Sequence, residues 1–147
     1  MTTLYQQFNA ALQRRLEANL VIAGELVATE VRRNIQKSPR GGKTYVKTNP
    51  NRVHKASAAG ESPATDLGFL VRSIQTEPDL DNLRIRVVSL FTIAPYARRL
   101  EFGDMARGLQ PRPFMFKSLA AKKQKAEDLM KKALNAAIRD MQGADIL

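Results

Sequence analysis

The chain has 147 residues, 44% hydrophobic and 26% charged, a composition expected of one soluble globular domain spanning 1–147. It has no cysteine and one histidine, His54, which excludes disulfides and cysteine nucleophiles, argues against zinc, and leaves His54 as the only histidine around which a serine-type triad could be built. A formal charge of +10 implies attraction to polyanions at low salt, and without an apolar run of roughly 20 residues or a secretory leader the chain is expected to be made in the cytoplasm, with no membrane contact.

From about Thr3 to Lys37 there is no proline, and Leu4, Phe8, Leu12, Leu16, Leu20, Ala23, Val27 and Val31 recur at helical spacing. The pattern predicts one long amphipathic helix, capped by Thr2 or Thr3 and ended by Ser38-Pro39. At 1.5 Å per residue it would span about 50 Å, more than a small domain needs, so part of its apolar stripe is expected to face another subunit.

Residues 38–63 are punctuated by Pro39, Gly41, Gly42, Pro50, Gly60 and Pro63 and carry Arg40, Lys43, Lys47, Arg52 and Lys55 against a single acid, Glu61. This reads as a long basic loop, with room for a short strand at Thr44-Tyr45-Val46. With His54, its cations are the candidates for contact with a partner protein or with DNA. Gly41-Gly42-Lys43-Thr44 resembles the end of a phosphate-binding loop, but Lys37 stands where the earlier glycine is required, so nucleotide binding is not expected.

Thr65 or Asp66 is expected to cap a short helix with Leu67, Leu70 and Val71 on its apolar face and Gly68 allowing a close approach. A hairpin follows: Ile74 to Glu77 alternate, Pro78 to Asn82 supply a turn, and Leu83 to Val87 alternate again, with Gln75 and Glu77 expected to face Arg84 and Arg86. Ala94 to Gly103 predicts a short helix with Pro95 in its first position and Gly103 just past its end. Within it, Glu101 is expected to pair with Arg98 or Arg112. The last helix is predicted from Pro113 to Met141, docked in the core by Phe114, with Met115 and Phe116 core or interface and residues 142–147 frayed. The fold class is α+β: a small antiparallel sheet covered by long N-terminal and C-terminal helices.

Three of these segments together resemble a family, the tail-completion or head-to-tail joining proteins of long-tailed bacteriophages. The first runs from Val53 to Ile74 and includes His54, Gly60, Glu61, Asp66, Gly68 and Leu70, departing from the family pattern at Ala59, Leu67 and Val71. The second is Tyr96-Ala97-Arg98-Arg99-Leu100-Glu101-Phe102-Gly103, and the third is Arg112-Pro113-Phe114-Met115. The resemblance implies a structural virion protein that forms a ring, a hexamer, at the head-to-tail junction. Its implied partners are copies of itself, the phage connector or head-completion protein, and the tail tube protein, with genomic double-stranded DNA passing through the lumen. Neither catalysis nor a cofactor is implied. The alternative from a different class is a sequence-nonspecific DNA-binding protein working through its charge.

Overall fold

The computed structural model describes residues 3–144. Helix α1 (Leu4–Gln36) opens with Thr3 as N-cap: Gln6 N donates to Thr3 Oγ1, and Thr3 N donates back to Gln6 Oε1 at 2.9 Å, forming a capping box. The second N-cap candidate, Thr2, lies outside the described residues. Burial along α1 is uneven. Its C-terminal half buries Ala23, Val27, Ala28, Val31 and Ile35, whereas Phe8, Leu12 and Leu16 are only half-buried and Leu4 and Tyr5 are exposed.

The region read as a basic loop contains a hairpin. Strands β1 (Thr44–Thr48) and β2 (Asn51–Lys55) pair antiparallel, with Val46 opposite Val53 and Lys47 opposite Arg52. A short helix α2 (Phe69–Ser73) then leads into β3 (Ile74–Asp79), which pairs antiparallel with β4 (Arg84–Ser89). The chain continues through α3 (Ala97–Phe102), a 3-10 turn at Met105–Arg107, and α4 (Met115–Ala144).

The α+β class holds, but the strands form two separate two-stranded sheets, β1–β2 and β3–β4, where one sheet was expected. Other boundaries also shift. Pro78 and Asp79 belong to β3, which shortens the turn. Glu77 lies opposite Arg86 as expected, but Gln75 faces Val88. Helix α3 starts two residues after Pro95. Helix α4 starts at Met115 and continues through residues 142–144, part of the stretch expected to fray; 145–147 lie outside the described residues.

The core forms where the second half of α1 meets β3–β4, α2 and α3. Val27, Val31, Ile35, Leu70, Ile74, Ala94, Ala97 and Phe114 pack there, with Leu100 and Val87 at its margin. Helix α4 lies along α1, and polar ties fix their register: Asn34 Nδ2 donates to Ser118 Oγ at 2.9 Å, and Arg15 pairs with Asp140. The buried Glu30 carboxylate bridges Arg33 and Lys122 at 2.6 and 3.3 Å. The hydrogen bond from Arg33, and then Lys122, hold that carboxyl below its ordinary pKa against the cost of burial. Gly24 brings α1 against the sheet, for a Cβ there would lie 2.3 Å from Ile85 Cδ1.

Phe114, fully buried at the start of α4, is the largest enclosed side chain. Phe114→Ala is expected to lower stability by about 3–5 kcal/mol, measured as a shift in the urea midpoint at unchanged slope.

Candidate functional site

The three motif segments meet at one junction where α3 ends and α4 begins. Helix α4 has no acid in its first turn to satisfy its leading amide groups. Glu101, at the end of α3, does so from outside: Oε2 accepts from Phe114 N at 2.8 Å and Met115 N at 3.0 Å, and Oε1 accepts from Phe116 N at 3.0 Å. A carboxylate at a helix N-terminus is favoured both by these donors and by the helix dipole. Glu101 therefore does not pair with Arg98 or Arg112 as expected. Arg112 instead donates from Nε to Ser57 O at 3.1 Å, and from its backbone N to Leu100 O at 2.7 Å.

The first segment closes onto the same point. Gly60 N donates to Pro111 O at 2.9 Å, and the Lys117 ammonium donates to Gly60 O. Glu61 accepts from Ala58 N and Gly41 N at 2.8 and 2.9 Å, and those backbone bonds lower its pKa. Gly103 takes φ +80° with no room for a side chain, since a Cβ would sit 2.8 Å from Leu109 O.

Asp66 is not a helix cap. Gly68, in the left-handed conformation, precedes α2, and nothing lies within 4 Å of where its Cβ would be, so backbone conformation and not close approach accounts for the glycine. The Asp66 carboxylate grips the β1–β2 hairpin. Arg52 donates to it from Nε and NH2, both at 2.7 Å, Lys47 Nζ lies at 3.2 Å, and His54 Nδ1 at 3.7 Å. The Arg52 hydrogen bond, more than Lys47 and the charge interactions with His54 and Arg52, holds the Asp66 pKa well below the ordinary carboxylate range. Tyr96 borders the same hollow of about 350 Å³; partial burial, then the Asp66 charge, raises its phenol pKa.

Of the residues expected to meet a partner, Arg52 and His54 are partly buried beside Asp66, Lys47 reaches Asp66 while its side chain stays 45% exposed, and Arg40, Lys43 and Lys55 are exposed. Leu70, Leu100 and Phe114 sit in or against the core, and Pro113 leads into α4. The His54 side chain makes no hydrogen bond among the described residues, and its 3.7 Å separation from Asp66 is too long to orient it as a base. No group of three or more acidic or histidine side chains close enough to hold a metal ion occurs among the described residues. Nor is any described helix long and apolar enough to cross a membrane.

Sequence reading missed that the strand allowed at Thr44-Tyr45-Val46 pairs into a hairpin, and that Phe91 and Phe102 join Phe116, expected in the core or an interface, in a cluster of exposed rings beside the junction. The alternation of Tyr45-Val46-Lys47 and Arg52-Val53-His54 around Asn49-Pro50 was the available signal for the hairpin. No family model, curated protein or solved structure matches the chain.

Three substitutions separate the roles of the acids. Glu101→Ala is expected to cost about 2–3 kcal/mol in urea unfolding, and Glu101→Gln less because one oxygen still accepts. For Asp66, the folded chain keeps the carboxylate ionised to lower pH than the unfolded chain does. Its ion pairs therefore contribute fully above the unfolded pKa of about 3.9, and that contribution is lost as pH falls from there through the lower folded value. The stability gap between the native chain and Asp66→Asn should be open at pH 7 and narrow below pH about 4.

Proposed function

We propose that this chain is a structural component of a tailed-phage virion that forms a ring at the junction of head and tail. The observation that carries the reading is surface area. The chain exposes 9899 Å², against about 7,500 Å² for a compact monomer of this length. The excess of about 2,400 Å² is enough for two standard interfaces of about 800 Å² per partner, one on each side, as a subunit in a closed ring requires. Part of the exposed surface is apolar: Phe91, Phe102 and Phe116 are 76%, 72% and 72% exposed. Monomeric soluble proteins rarely leave clustered rings so open.

The motif junction supports the same reading in another way. Glu101, Arg112, Gly60 and Asp66 make contacts that hold backbone segments in place, which is what a protein acting through its shape needs. On this reading the partners are further copies in a hexamer, the connector or head-completion protein above, and the tube protein below, with genomic DNA passing through the lumen. The alternative, a nonspecific DNA-binding protein, draws on the exposed Lys125, Lys131 and Lys132 of α4 together with Arg40, Lys43 and Lys55.

Gold-labelled antibody against the chain should mark the head-to-tail junction of purified particles; absence of the chain from mature particles would overturn the reading. Retention on duplex DNA that disappears steeply with salt, with no virion label, would instead support DNA binding.

A further inference from the structure

Two surfaces lack a partner among the described residues. The first is a trough. A hollow of about 410 Å³ between α1, β4 and α4, lined by Val27, Ile85 and Met130 among others, runs into a second of about 520 Å³ bordered by Phe91, Phe102 and Phe116. Val87, Met115 and Leu119 line both, so the two form one apolar channel. Along its side runs β4, whose outer edge makes no backbone hydrogen bond among the described residues because its sheet ends there. An open strand edge beside an apolar channel is suited to accept another strand.

The second surface is the β1–β2 hairpin. Its polar face, with Lys47, Arg52 and His54, is locked to Asp66 of the same chain. Because side chains alternate along a strand, the cross-strand partners Val46 and Val53 point away from that anchor, and they are 74% and 69% exposed. The valine face is therefore open in the single chain. Its five-residue strands match the six-residue edge of β4, and the exposed Lys43 and Lys55 are opposite in sign to Glu127 on the trough rim, an exposed acid that Lys123 of the same helix approaches only to 3.9 Å.

We propose that the valine face of the β1–β2 hairpin of one copy seats in the apolar trough of the next, alongside the free edge of β4. The contact joins two different patches, so it repeats head to tail and closes into a ring when the rotation permits. It rests on the ring reading given above and names the surfaces that make it.

The absence of cysteine permits a direct test. Val46→Cys and Leu119→Cys are made in separate, differently tagged chains, mixed at high concentration and oxidised, so that only contacts between copies can give the mixed disulfide. The expected product is that mixed species in excess over both homodimers. Adding Val53→Lys to the hairpin partner should cut its yield by at least about tenfold, with circular dichroism unchanged. Homodimers alone, or no mixed disulfide, overturn the docking. If sedimentation of the same sample still shows closed oligomers, the ring survives and only its assigned surfaces fall. Failure of the ring reading itself is read separately, from the absence of the chain in particles.

Discussion

The first turn of α4 has amide groups that its own sequence does not cap, and the carboxylate of Glu101 supplies the missing acceptor from the end of α3. Most of the junction follows from that constraint. To reach Phe114, Met115 and Phe116, α3 must stop at Phe102 and the chain must turn sharply at Gly103, where a side chain would strike Leu109 O. The turn brings Pro111 and Arg112 back to Gly60 and Ser57, which ties the first segment to the same point. Phe114 is thereby set into the core beneath α1, and α4 leaves at a fixed angle along its partner helix. A remote carboxylate of this kind couples local helix formation to tertiary folding, since neither α3 nor α4 gains from it alone.

The elements governed by local periodicity were legible in the sequence. The stripe from Leu4 to Val31 gave α1, the punctuation by Gly103 gave the end of α3, and the alternation around residues 78–83 gave β3–β4. What was not legible depends on contacts distant in sequence. Asp66 has the residue type and position of a helix cap, and only the approach of Arg52, fourteen residues earlier, makes it the anchor of a hairpin. Glu101 lies close in sequence to Arg98 and Arg112, yet amide donors arranged by the turn compete for its carboxylate more effectively than either cation does. The hairpin itself was hidden because its strands are short and lie between prolines and glycines that also describe a loop. Two of its cations, Lys47 and Arg52, pair with Asp66.

The same contacts explain why the molecule is so open. Helix α1 is anchored at its C-terminal half, so its first turns and the end of α4 project as a two-helix arm with apolar residues on both. Two small sheets in place of one larger sheet leave strand edges uncovered. On the proposed function these are the surfaces through which copies and neighbours meet. The interlocked junction then serves to hold them at a constant mutual angle, because ring closure tolerates little variation in the rotation between subunits.

Hydroxyl-radical footprinting of the dilute chain and of the chain within assembled particles measures that burial most directly. Phe91, Phe102 and Phe116 are expected to react readily when free and to be strongly protected in particles. Equal reactivity of the three rings in both states would contradict the view that their exposed surface exists to be covered by assembly.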